Sequence, residues 1–207
     1  MKALRLASLV VAIVLAASVL SACNAASPAA SKTTTERATT AKPALNPFGF
    51  DPDHPEGWSI YGGKDWDACL KWMNERKLLI AESDYSLGAF TLQMPFDDAT
   101  KLFPSAFLSD EEKDSARTLA FPSLTLMFVK ADDDGKFTLY SIEATGPGYV
   151  TPRGLCVGDN AEKVYALYGV PYYVLDNKWA YGDGEYSLFS VMVENGIVQK
   201  ICVNSVM

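Results

Sequence analysis

A single histidine, His54, stands in the 207 residues. That scarcity excludes more chemistry than any motif suggests. No second imidazole exists for a zinc site of the common type. A Ser-His-Asp triad would have to use His54, which lies in the turn-like stretch Asp51-Pro52-Asp53-His54-Pro55 with no Gly-x-Ser-x-Gly nearby. Cys-x-x-Cys, a phosphate loop and Gly-x-Gly-x-x-Gly are all missing. We read His54 as an exposed loop residue and assign no catalytic residue, metal site or cofactor. Positive charge is also short. The chain carries −7, and removal of Lys2 and Arg5 leaves −9. Residues 24–47 hold Lys32, Arg37 and Lys42 against Glu36, so the remainder from residue 48 carries −11. A field of that sign argues against nucleic-acid partners and against adsorption on anionic lipid.

The N-terminus is informative. Lys2 and Arg5 form a positive start, residues 7–19 are an uncharged Ala, Val and Leu run, and Leu20-Ser21-Ala22-Cys23 follows. The run is below the roughly 18 residues of a spanning helix, so the layout is that of an export signal over residues 1–22. The tetrapeptide resembles the bacterial lipobox. The resemblance implies that Cys23 is the lipid attachment site, with acyl chains such as palmitate, and that the protein sits on the extracytoplasmic face of the cell membrane. Two acyl chains give stable anchoring where one does not. Residues 23–47 are then an Ala, Ser, Thr and Pro tether, too poor in large apolar side chains to offset ordering entropy.

About 160 residues remain, enough for a real core. Three cysteines lie among them, Cys69, Cys156 and Cys202, an odd count that forbids full pairing. Asp132-Asp133-Asp134-Gly135 invites a calcium reading, but that frame would place Lys130 and Ser141 where carboxylates are needed, so a hairpin turn is the better account. Asp110-Glu111-Glu112 reads as a solvated helical or loop surface.

Order of elements is more telling than motifs. In residues 151–207, Leu155-Cys156-Val157 reads as a short strand. Asp159 with Glu162 reads as a capping box for a helix whose stripe is Val164, Leu167 and Tyr168, and Gly169 and Pro171 stop it. Strand-like runs follow at 178–181, 186–193 and 197–203. In residues 88–145 the order recurs: Phe90 and Leu92 in a strand, Ala99, Leu102 and Phe103 on a helix, then runs at 117–121, 124–130 and 137–144. Two tandem strand-helix-meander repeats are therefore expected, with 105–116 as an insertion. Gly158-Asp159, Glu162-Lys163-Val164, Tyr168-Gly169-Val170-Pro171 and Asn195-Gly196-Ile197-Val198 resemble the repeat of small bacterial lipoproteins similar in fold to the beta-lactamase inhibitory protein and the small lipoprotein of the outer-membrane assembly machine. The resemblance implies protein binding and brings no catalytic residue.

Residues 48–87 gather Trp58, Trp66 and Trp72. Asp65 is placed to cap a helix with Trp66, Cys69, Leu70 and Met73 on one face, either packing on the repeats or forming an aromatic ligand platform. Strand alternation puts Cys156 and Cys202 on a common outer face, as candidates for a disulfide if their strands are neighbours and their Cα atoms lie about 4.4–6.8 Å apart.

The sequence-based expectation is α+β: antiparallel sheet with helices packed on one face, in two tandem repeats. The expected function is a lipid-anchored, non-enzymatic protein-interaction lipoprotein of the cell envelope, with the membrane and an envelope protein as partners. The alternative is a secreted hydrolase using a carboxylate pair.

Overall fold

The structure is a computed structural model that describes residues 46–60, 65–104, 106–130, 135–182 and 187–205. The signal segment, Cys23, the tether up to residue 45 and the Asp132-Asp133-Asp134 turn lie outside the described residues. Apolar residues alternate over 117–129, 137–144 and 187–203, which dictates strands with one buried face. Among the described residues there are ten strands: β1 (Ser86–Leu87), β2 (Phe90–Thr91), β3 (Ser109–Lys113), β4 (Ala116–Phe121), β5 (Leu124–Lys130), β6 (Phe137–Ala144), β7 (Tyr173–Leu175), β8 (Lys178–Tyr181), β9 (Ser187–Glu194) and β10 (Ile197–Ser205). The helices are α1 (Trp66–Glu75), α2 (Phe96–Ala99) and α3 (Ala161–Tyr168).

Strands β3 to β10 form one eight-stranded antiparallel sheet in the order β3-β4-β5-β6-β10-β9-β8-β7, and β1 and β2 form a separate pair. The two meanders meet at β6 and β10, where Ile142 pairs with Val203 and Ala144 with Ile201. All four are fully buried. The turn into β10 is Asn195-Gly196, with φ of 52° and 75°. Positive φ at both central residues is what a tight hairpin of the right twist requires. Asp176 and Asn177 make the equivalent turn between β7 and β8 with φ of 49° and 63° and no glycine.

This architecture overturns the α+β expectation of helices packed on a sheet. The described chain is mostly β, and its α-helices have only ten, four and eight residues. The helix expected around Ala99, Leu102 and Phe103 shrinks to α2 and one 3-10 turn. Pro95 and Pro104 bracket it and leave no room for more. Irregular chain and the small β1–β2 pair do much of the covering: Phe50, Ile60, Leu155 and Val157 from the former and Leu87 and Phe90 from the latter all join the buried cluster over the sheet. Residues 154–157 form no strand either, and Gly154 and Gly158 hold φ of 87° and 96° there.

The two sheet edges are treated differently. Along β7, Ile60 N–H donates to Tyr172 O and Val174 N–H to Trp58 O, both at 2.8 Å, so the chain at 58–60 covers that edge. At the other edge stands β3, which carries Asp110, Glu111 and Glu112. This corrects the reading of that run as helix or loop. Charge on an edge strand discourages pairing with another chain.

The cap of α3 is displaced by one residue from its expected place. Asn160, not Asp159, accepts from Lys163 N–H, at 2.8 Å. The Asp159 carboxylate instead accepts from Cys156 N–H and from Lys163 Nζ, both at 2.7 Å. Burial pushes the Asp159 carboxyl up, but the Lys163 ammonium and the Cys156 contacts outweigh it, and the net shift is downward. A carboxyl depressed in the folded state stabilises above its unfolded pKa, and that contribution disappears as pH falls through the folded value. We therefore expect Asp159→Asn to lose stability relative to the parent at pH 7, with the difference closing on acidification below about pH 4. Urea midpoints measured at both pH values check this.

Candidate ligand-binding face

Alternation along the strands that bury Phe189, Val191, Ile201 and Val203 leaves a second row pointing the other way. Register joins Thr125, Glu143, Cys202, Ser190, Ala180 and Tyr173 across six strands. A parallel row joins Thr118, Met127, Ser141, Asn204 and Leu188. A third joins Leu175, Lys178, Met192 and Lys200. Most of these side chains are half-buried, Ala180 and Ser190 are buried, and Leu175 is 63 % exposed. Among the described residues no helix lies over them. The face is shallow, mixed in polarity and wide.

Its polar groups are partly committed. Lys200 Nζ sits 2.9 Å from Glu143 Oε1, and this contact raises the Lys200 pKa. Cys202 Sγ lies 3.7 Å from Glu143 Oε2, and Ser141 Oγ donates to Asn204 Oδ1 at 2.6 Å. Between Lys178, Ser190, Met192, Lys200 and Cys202 the surface dips into a recess of about 270 Å³.

A larger groove of about 760 Å³ lies between the 52–56 turn, the start of α3 and the β9–β10 turn. It is lined by the carboxylates of Asp53, Glu56, Glu162 and Glu194. All four are exposed. Glycoside hydrolysis needs one carboxyl held protonated, usually by burial, opposite a second. The one buried carboxylate among the described residues, Asp84, is held by Arg153. No group of three metal-ligating side chains occurs among the described residues.

The singled-out residues fall as follows. His54 is exposed, with Nδ1 3.3 Å from Asp51 Oδ2. The tryptophans pack: Trp58 Nε1 donates to Pro171 O at 2.8 Å, Trp66 meets Tyr172 edge-on at 5.1 Å, and Trp72 meets Phe48 at 6.0 Å with Arg76 over its ring. On α1, Cys69 and Met73 are buried. Cys202 takes the outer face that alternation assigns it, but Cys156 is in a turn rather than a neighbouring strand. The basis for pairing them is therefore not met, and none of Cys69, Cys156 and Cys202 forms a disulfide. Burial pushes the Cys69 thiol up to about 11 and the Cys202 thiol to about 12. Thiolate is the reactive species, so iodoacetamide at pH 8 should alkylate Cys69 and Cys202 only slowly until urea unfolds the chain. Peptide mass spectrometry against time reads the rates.

Sequence reasoning passed over Lys178 and Ser190, because a lone lysine or serine in a strand carries no local signal and only cross-strand register brings the two together. Among the described residues, no helix is long and apolar enough to cross a membrane. Comparison with family models, with curated proteins and with solved structures yields no match to this chain.

Proposed function

We propose that the protein is a lipid-anchored binding protein of the cell envelope that recognises a partner through the open face of its eight-stranded sheet. The observation that carries this reading is the contrast between the two faces. One is closed by Phe50, Trp58, Leu87, Phe90, α1 and α3, while the other presents Met127, Leu188, Met192, Leu175 and Tyr173 among serines, lysines and Glu143 with nothing described over it. Such a mix of adaptable methionine, aromatic and polar side chains suits protein recognition better than catalysis. The lipobox-like Leu20-Ser21-Ala22-Cys23 supports the anchoring, and the tether composition supports a domain free to reach a partner.

The test is photo-crosslinking in cells. A photoreactive residue replaces Met127 or Thr118 on the open face, or Lys71 on the exposed side of α1. The same discrete adduct should form from both face positions and not from Lys71. Adducts from Lys71 alone, or none from either face position, would refute the reading.

A further inference from the structure

The recess beside Met192 combines features that a plain sheet surface does not. Ser190 is 1 % exposed and lines the recess. A hydroxyl can both donate and accept, so one at the floor of an opening suits a polar group that enters it. Lys178 lines the same recess and makes no ion pair among the described residues. Lys200 lies across Met192 from it in the same cross-strand row, already sharing Glu143. Asn204 spends its carbonyl oxygen on Ser141, which leaves its amide N–H groups to donate. Two ammonium groups, a hydroxyl and an amide thus converge where one carboxylate is already present, in a region that is acidic as a whole.

We propose that this recess is a subsite for one carboxyl group, held between Lys178 and Lys200 above the Ser190 hydroxyl. It rests on the reading of the open face as the binding face and states what that face selects. Charge sets the choice. Glu143 already balances Lys200, so a singly charged carboxylate balances Lys178, whereas a phosphate dianion would leave excess negative charge beside Glu143. Size agrees: about 270 Å³ is smaller than pockets that enclose a whole drug-sized ligand. The carboxyl therefore arrives either as the tip of an aspartate or glutamate on a docked partner or as a small organic acid. Leu175 and Met192 flank the recess and would contact the methylene groups behind the carboxyl.

The test uses the full-length protein in detergent with ¹³C-labelled methionine methyl groups, Met192 being assigned by Met192→Leu. Four probes are titrated: glutarate, acetyl-Ala-Glu-Ala-amide, its Gln counterpart and inorganic phosphate. The Met192 methyl should shift saturably with a carboxylate probe and not with the Gln peptide. Saturation by the peptide below glutarate identifies a partner's side chain, and the reverse order identifies a small acid. Lys178→Met should weaken binding about tenfold, Lys200→Met and Ser190→Ala should weaken it less, and Lys71→Met should leave it unchanged. The proposal is overturned if no saturable shift appears up to about 20 mM, a limit of only about 2.3 kcal/mol. It is overturned equally if the Gln peptide or phosphate binds as well as the carboxylates, or if binding survives both lysine substitutions in variants with parental circular dichroism. Crosslinking from Met127 is read separately, in the protein with Lys178 and Lys200 intact. An adduct without carboxylate binding removes the subsite and keeps the binding face, whereas carboxylate binding without an adduct does the opposite.

Discussion

Arg153→Ala is expected to lower the unfolding free energy by about 3–5 kcal/mol, the range for removing one member of a buried ion pair. Arg153 Nε and Nη2 bind both oxygens of Asp84, at 2.9 and 2.6 Å, and Asp84 is only 2 % exposed. Nη1 donates to the carbonyls of Leu167, Lys77 and Leu78 at 2.9 to 3.3 Å, and Nη2 reaches Leu79 O. The guanidinium also lies 4.9 Å from the Tyr168 ring centroid. One side chain thus ties the turn after α1, the acidic 3-10 turn at 82–84 and the end of α3. Deleting it leaves a buried carboxylate and the part-buried carbonyls of Leu78, Leu79 and Leu167 without this donor. Lysine does not restore a planar fork of donors, so Arg153→Lys should recover little. With a urea slope of about 1–3 kcal/mol per molar, the midpoint should fall by more than about 1 M. A fall under about 0.3 M would mean that the clamp is dispensable.

Cys23→Ala is expected to abolish anchoring by lipid. The chain should either remain unprocessed or leave the membrane fraction, because the tether and the acidic domain offer nothing else to hold a bilayer. The lipobox-like tetrapeptide and the short apolar run before it motivate this. Fractionation with and without detergent, together with the mass of the mature N-terminus, reads the outcome. A mutant that is still cleaved and still needs detergent for release would remove the lipoprotein reading and leave the description of the folded domain untouched.

The strands were the legible part of the fold. The runs at 117–121, 124–130, 137–144 and 178–181 coincide within a residue with β4, β5, β6 and β8, because alternation is a strong local signal wherever one face is buried. Cys202 was placed on the outer face by the same rule. Local rules failed where long-range contacts decide. Residues 154–157 look like a strand, yet the side chains of Thr151 and Asp159 tie Leu155 N–H and Cys156 N–H into turns. Asp110-Glu111-Glu112 has no apolar alternation, yet it pairs along β4, where Arg117 binds Asp110 at 2.9 and 2.5 Å and stacks over Phe96. An edge strand need bury little, so composition does not reveal it. Helix content was overestimated because a stripe such as Ala99, Leu102 and Phe103 fits a 3-10 turn as well as a longer helix. The candidate recess was hidden for a related reason. Its residues come from four strands, β6, β8, β9 and β10, and only the pairing of β6 with β10 closes the sheet through it.

The most direct test of the open sheet face as the place where this protein binds is carbene footprinting of the same chain in two states, purified in detergent and embedded in the intact cell envelope. Met127, Met192 and Leu175 should lose labelling in the envelope, while Phe107 and Leu102, exposed near α2 and away from that face, should label equally in both states. Equal labelling of the face in both states, or protection confined to Phe107 and Leu102, would contradict the account.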